Sequence, residues 1–194
     1  MSKFLVIAEK PSVAQSYAKN LSAYKREDGY LEGESCIVSW CLGHLAEYAQ
    51  PEEYDPKYEK WQFDDLPILP EAWKLKVSKD KKKQFDVLKG LMNRSDVEYL
   101  VNGCDAGREG ELIFQRVYVL AGCRKPVKRL WISSMEDAAI QKGFQTMKSE
   151  EEYKNLCMAA VCRAQADWLI GMNGTRAYTC LLYTSDAADE LTRV

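Results

Sequence analysis

The most restrictive feature of the sequence is a short apolar run, Phe4-Leu-Val-Ile-Ala8, that passes directly into Glu9-Lys10-Pro11-Ser12. The run does not alternate with polar residues, so it reads as a strand buried on both faces. Such a strand belongs inside a parallel sheet covered by helices. Pro11 suits a first helical turn, and Ser12 to Leu21 reads as the helix that follows. The pattern then repeats. Ser35 to Leu42 reads as a strand ended by Gly43, Val97 to Val101 as another, and Val127 to Ile132 as a third. Asp80 to Met92, Arg108 to Ala121, Asp137 to Met147 and Glu150 to about Asn173 read as helices. The first of these carries Phe85, Leu88 and Leu91 on one side. Strands alternating with helices predict an α/β domain with a largely parallel sheet flanked by helices. Residues 45–73, rich in Pro, Asp, Glu and aromatics, read as a long ordered loop. A boundary is expected near 148–152. It gives an α/β domain over 1–150 and the start of a helical domain over 151–179.

Composition narrows the class. With 194 residues, 46% hydrophobic and 29% charged, the chain can bury one full core and begin a second. No apolar run approaches the length of a membrane span. The opening does not read as a signal peptide, because Glu9 and Lys10 end its apolar stretch. A cytoplasmic protein without a membrane partner is expected. Seven cysteines, an odd number with no C-x-x-C pair, predict reduced thiols and neither a zinc site nor a disulfide framework. The net charge of −2 weighs mildly against a dedicated nucleic-acid binder. A local stripe of Lys and Arg can nevertheless hold phosphates on an acidic chain. Lys79 to Lys83 has no interleaved aromatics and reads as a solvated helix start.

Two strand ends carry acids. The first strand runs into Glu9 and Lys10; the strand at 97–101 runs into Asp105-Ala-Gly-Arg108-Glu109-Gly110-Glu111. Ligands of parallel sheets bind beyond the carboxyl ends of the strands. If these two strands are neighbours, Glu9, Asp105 and Glu109 converge. Carboxylates without His or Cys suit a hard cation such as Mg²⁺. The helix from Arg108 opens at the same place, and its N-terminus favours an anion. Taken alone, Asp-Ala-Gly is better explained by a capped turn than by catalysis, and the acids of Arg-Glu-Gly-Glu can be read as a solvated first turn.

Taken together, these segments resemble a known family. Leu-Val-Ile-Ala-Glu9-Lys10-Pro11-Ser12 resembles the opening of type IA DNA topoisomerases, and Asp105-Ala-Gly-Arg108-Glu109-Gly110-Glu111 resembles their Asp-x-Asp-Arg-Glu-Gly-Glu signature. The two form a Toprim metal site, which also occurs in primases and some nucleases. Three further segments are similar to the bacterial topoisomerase III subfamily. They are Cys41-Leu-Gly43-His44-Leu with Pro51-Glu-Glu-Tyr-Asp-Pro56, Arg129-Leu-Trp131-Ile-Ser133-Ser134, and the stretch from Arg163 through Asp167, Trp168 and Gly171 to Arg176. The likeness runs to about residue 179. One position departs from it: Gly107 stands where the signature has its middle acid, which puts a two-metal arrangement in question.

The resemblance implies a Rossmann-like Toprim fold and a Mg²⁺-dependent enzyme acting on single-stranded regions of DNA, associated with a bacterial nucleoid. Such enzymes cut one strand through a 5′-phosphotyrosine link, pass a strand, and reseal. It implies Glu9 as proton donor to the leaving oxygen or as a metal ligand, Lys10 as a charge on the phosphoryl oxygens, and Asp105 and Glu109 as Mg²⁺ ligands. Arg108 would touch phosphate or pair with a neighbouring acid. Arg163, Arg176 and His44 would lie near DNA, while Trp168 and Trp131 read as packing. The catalytic tyrosine of the family is expected outside this chain, since Tyr178 and Tyr183 stand in no matching context, so the chain alone should not relax DNA. Residues 180–194 read as a translated sequencing adaptor, a non-native tail. A stand-alone Toprim nuclease or primase, or a non-catalytic DNA-binding module, are the alternatives.

Overall fold

The computed structural model describes residues 2–183. Its elements are β1 (Lys3–Ala8), α1 (Pro11–Asn20), β2 (Lys25–Glu27), β3 (Tyr30–Glu32), β4 (Cys36–Trp40), β5 (Ala46–Tyr48), β6 (Leu75–Val77), α2 (Lys82–Met92), β7 (Val97–Gly103), α3 (Arg108–Leu120), β8 (Val127–Arg129), α4 (Asp137–Gln145), β9 (Lys148–Ser149) and α5 (Lys154–Tyr178). Seven strands form one sheet in the order β2-β3-β4-β1-β7-β8-β9, and β5 pairs with β6 in a two-stranded sheet. β1 lies between β4 and β7, parallel to both, and β8 continues the parallel set beside β7. The edges turn antiparallel, through β3 and β2 on one side and β9 on the other. The expected α/β class with a largely parallel sheet is therefore the observed one.

The unbroken apolar run of β1 follows from its central place. Leu5 and Ile7 pack on one face with Leu88, Met92, Ile113, Phe114 and Val117 of α2 and α3. Val6 and Ala8 pack on the other with Val13, Ala14 and Tyr17 of α1 and Ile140 of α4. A strand with period-two side chains and helices on both faces has no position left for a polar residue. Lys19 Nζ and Asn20 Nδ2 both bond Asp137, 2.6 and 2.9 Å away, and tie α1 to α4.

Boundaries moved where backbone geometry prevailed over pattern. The β2–β3 hairpin lies in residues that carry little apolar signal. β8 stops at Arg129, three residues before its expected end, although Leu130 N–H still donates to the Asn102 carbonyl at 3.0 Å. α2 begins at Lys82, after a 3₁₀ turn at Lys79–Lys81. The last helix opens as a 3₁₀ turn at Glu150–Tyr153, runs to Tyr178, and continues as a π-helical turn at Thr179–Tyr183. From residue 184 onward the tail expected to be non-native lies outside the described residues.

The chain divides into two compact units. One comprises the chain up to Glu47 together with Lys76–Val161 and holds the large sheet; the other comprises Tyr48–Leu75 and the chain from Cys162. In the second unit the acidic, aromatic loop is ordered by three 3₁₀ turns at Pro51–Glu53, Pro56–Glu59 and Phe63–Asp65. Its core is aromatic. Trp168 stands edge-on to Tyr54 and Trp73, with ring centroids 5.7 and 5.4 Å away, and its Nε1–H donates to the Ala49 carbonyl. Asn173 serves the loop as a strand would, donating to Ile68 O at 3.0 Å and accepting from Ile68 N at 2.6 Å. Among the described residues no helix is long and apolar enough to cross a membrane.

Candidate active site

Parallel pairing sets Ala8 opposite Gly103, so the residues after both strands emerge side by side. The Asp105 N–H donates to Glu9 Oε2 at 3.3 Å, which brings the two acidic strand ends together. The end of β4 joins them: Gly43, at φ +65°, donates its N–H to the Glu9 carbonyl at 3.3 Å. Lys10 is exposed at the entry to α1. With Ser12, Ser16, Asp105 and Met135 it lines an open hollow of about 350 Å³.

Two glycines let α3 start directly on the Asp105 backbone. Gly107 precedes the helix at φ +156°, a conformation that L side chains rarely adopt. A Cβ at Gly110 would stand 2.1 Å from the Asp105 carbonyl oxygen, so the first turn can seat there only without a side chain. The acid that the signature carries at position 107 is thus replaced by a residue whose backbone an aspartate would strain, although the space beside it is open.

The three expected metal ligands do not converge. Glu109 is exposed and its Oε1 meets His44 Nε2 in a short contact. His44 is itself held: Lys81 Nζ donates to its carbonyl at 2.8 Å, and Arg116 Nη1 lies 3.5 Å from its Nδ1 while donating to Ala46 O. The histidine expected near DNA is therefore the partner of a candidate ligand. Among the described residues no group of three or more His, Cys, Asp or Glu is gathered to hold a metal ion. What remains is Glu9 with Asp105, two hard oxygen donors with a lysine alongside. That donor set fits Mg²⁺, which keeps several waters and takes one or two carboxylates plus a phosphate. It does not fit a cage made by protein alone. Arg108 is exposed and forms no ion pair among the described residues, so no neighbouring acid occupies it.

Glu111, the last acid of the segment, faces inward. It has no exposed surface and accepts from Arg129 Nε at 2.5 Å and from Asn102 Nδ2 at 3.3 Å. Arg129, equally buried, also donates to the carbonyls of Asn102, Cys104, Leu130 and Asp105. Glu150 packs against this group. Burial above all, and then the charge of Glu111, push its carboxyl up to about 7. The sequence motifs include Arg129, in the segment Arg129-Leu-Trp131-Ile-Ser133-Ser134, but give no role to it, to Asn102 or to Glu150; the available signal was a charged residue inside a strand, Arg129 in Val127-Lys-Arg-Leu130.

Other expectations find a place. All seven cysteines are free, and Cys104 is held well above the usual thiol range by its hydrogen bond to Cys41 and by burial, which keeps it an inert thiol. Tyr17 stands close to the acids, but its hydroxyl donates to Gly103 O at 3.0 Å and burial raises its pKa far above the phenol range. In the second unit Arg163 is exposed and lies 3.7 Å from Asp167. Arg176 differs from its expected exposure to phosphate. It is buried, donates to Tyr58 O at 2.6 Å, and stacks over Trp61 at 5.0 Å, because it closes the loop that follows Pro56.

Comparison with known proteins narrows the assignment. The chain is 51% identical over 179 residues to DNA topoisomerase 3 of Bacillus subtilis, a match that takes in 92% of this chain and 25% of that protein. The figures are the same for DNA topoisomerase 3 of Bacillus anthracis, and the identity is 49% for that of Bacillus licheniformis. The chain thus spans about a quarter of the length of the curated relatives it matches. Among solved structures, full-length topoisomerase I of Thermotoga maritima matches 75% of this chain and 21% of its own at 18% identity, with a TM-score of 0.49. The Toprim domain family matches residues 4–135, which contain β1, β7 and both acidic strand ends, and the chain belongs to that family.

Proposed function

We propose that this chain supplies the acidic, cation-binding part of a type IA topoisomerase of the topoisomerase III kind, acting on single-stranded regions of DNA in a bacterial cytoplasm beside the nucleoid. The observation that carries the reading is the pairing of Glu9 with Asp105 across the carboxyl ends of β1 and β7. Half identity to DNA topoisomerases 3 supports it. Glu9 and Asp105 would hold Mg²⁺, with Glu109 available once released from His44. Bound there, Mg²⁺ would draw charge from a phosphoryl oxygen. Lys10, an ammonium on the same hollow, stabilises the phosphoryl oxygens as a point charge. In the alternative role Glu9, half-buried, gives a proton to a leaving 3′ oxygen instead of holding the cation, since a carboxylate bound to Mg²⁺ carries no proton. Arg108, exposed at the N-terminus of α3, adds a second phosphate contact at a helix end that already favours anions. Tyr17, the tyrosine that stands beside the acids, is not assigned as nucleophile, since its hydroxyl is committed to the Gly103 carbonyl. Residues 151–179 are proposed to open a helical DNA-gripping domain, in which Arg163 is the exposed arginine available to phosphate.

A graft tests the reading. This chain, put in place of the stretch of Bacillus subtilis DNA topoisomerase 3 that it matches, should relax negatively supercoiled plasmid in Mg²⁺. Glu9→Gln or Asp105→Asn should cut the rate by about a hundredfold or more. Magnesium-dependent nicking of plasmid by the ungrafted chain would favour a nuclease. DNA behaviour unchanged by Glu9→Ala and Asp105→Ala would favour a binding module, a reading to which Gly107 lends some support.

A further inference from the structure

Arg129 has no exposed surface, yet most of its hydrogen bonds go to main-chain carbonyls of other elements. Nη1 donates to Asn102 O at 3.0 Å, Cys104 O at 2.7 Å and Leu130 O at 2.8 Å, and Nη2 donates to Asp105 O at 2.8 Å. Two of these four carbonyls, those of Cys104 and Asp105, belong to the connection between β7 and α3 that presents Asp105, and a third, that of Asn102, lies at the end of β7. Nε takes Glu111, whose carboxylate neutralises the buried cation. Asn102 completes the frame, donating to Glu111 and accepting the Cys104 N–H at 3.2 Å. A guanidinium offers five donors in a rigid plane, whereas an ammonium is a compact point charge. Holding carbonyls of residues 102, 104 and 105 in fixed directions therefore requires arginine, while neutralising Glu111 does not.

We propose that Arg129 is a positioning residue for the site: it grips the carbonyls around Asp105 from behind and so fixes the main chain whose N–H meets Glu9. The inference rests on the reading of Glu9 and Asp105 as a cation site. It goes beyond that reading because Arg129 touches neither carboxylate. Partners that orient ligands from outside the coordination sphere typically change metal affinity by about 10- to 100-fold when lost.

The test compares the full chain with its Arg129→Lys variant, which keeps a cation beside Glu111 and loses the fork. Thermal melting checks the fold. Amide hydrogen exchange reads the connection, and electron paramagnetic resonance of Mn²⁺ reads cation binding. In the variant, the amides of Cys104 and Asp105 should exchange at least about tenfold faster while β1 and α2 stay protected, and the Mn²⁺ Kd should rise about 10- to 100-fold. A folded variant with wild-type exchange at Cys104 and Asp105 overturns the proposal, and so does a loosened connection with unchanged Mn²⁺ affinity. A wild-type chain that binds no Mn²⁺ overturns the cation reading instead, and the exchange result then decides Arg129 alone. Should Arg129→Lys fail to fold, the wild-type guanidinium is read by NMR. Slow rotation about Cζ–Nη with protected Nη protons supports the grip, and free rotation overturns it.

Discussion

Glu109 and Glu111 stand two residues apart in the first turn of α3, and they have opposite surroundings. Glu109 is exposed, and among the described residues its carboxylate meets the imidazole of His44 alone. Glu111 is sealed from water against Arg129. Helical geometry explains the split: two residues along a helix turn a side chain through about 200°, so one acid faces outward while the other enters the core. Stability and chemistry are thereby separated within one short motif. The outer acids Glu9, Asp105 and Glu109 can change partners at little cost to the fold. The inner group of Glu111, Arg129 and Asn102 cannot.

The largest effect that sharpens this contrast comes from breaking the inner pair. Arg129→Met or Glu111→Ala leaves a buried charge unpaired and should cost about 3–5 kcal/mol, read by chemical denaturation. Replacing both partners together by apolar residues should cost much less than the sum of the single changes. A strictly additive double variant would mean that the pair is not coupled in the folded state.

Gly110→Ala should come next. Its Cβ would meet the Asp105 carbonyl oxygen at 2.1 Å, and the Asp105 atoms around it are backbone that cannot rotate away. A loss of about 1–3 kcal/mol is expected, together with weaker Mn²⁺ binding as Asp105 shifts. Unchanged stability would show that the first turn of α3 can slide off the Asp105 backbone, and the outer site would then be less rigidly built than the geometry implies.

Much of this was legible in the sequence, and the rest failed for definable reasons. The buried β1 run and its passage into Glu9 fixed a central strand, and the second acidic strand end proved to be its neighbour. The sequence could not say which acid of Arg-Glu-Gly-Glu faces out, because the helical phase of a first turn depends on where the helix begins, and that was set by Gly107 and Gly110. The burial of Arg176 was not legible because a basic residue in a family-like stretch says nothing about its own surroundings; the Tyr58 carbonyl and Trp61 ring that enclose it come from a loop more than a hundred residues earlier. The role of Arg129 escaped for a similar reason, as three of the carbonyls it holds lie at the end of β7 and in the connection after it, about 25 residues earlier in the chain.

Glu150 tests the inner region from its margin and in a pH-dependent way. Its carboxyl is raised from an ordinary value near 4.5 to about 7 in the folded chain. Between those values the folded state holds a proton that the unfolded chain has released, so stability falls as pH rises through this window and levels off above it. Glu150→Gln, which mimics the protonated form, should therefore match wild type near pH 4. It should be more stable by roughly 1–2 kcal/mol at pH 8, after discount for its partial exposure. Denaturation curves of the two chains across pH 4–8 check it. Parallel curves would mean that neither burial nor the charge of Glu111 raises the Glu150 carboxyl in the folded chain.

The smallest stability effect should come from the outer acid, and it bears most directly on the contrast. Glu109→Gln removes a carboxylate from an exposed position with one visible partner, so the stability change should stay within about 0.5 kcal/mol. Part of that is the loss of a favourable charge at the N-terminus of α3. Function should respond differently. If Glu109 leaves His44 to join Glu9 and Asp105 when a cation arrives, Glu109→Gln weakens Mn²⁺ binding although the fold is untouched, and His44→Ala tightens it by freeing the carboxylate. If the site uses Glu9 and Asp105 alone, both variants leave Mn²⁺ affinity as it was, and the imidazole contact is a fixed part of the outer rim. A destabilisation by Glu109→Gln comparable to that of the inner pair would dissolve the distinction between the two acids.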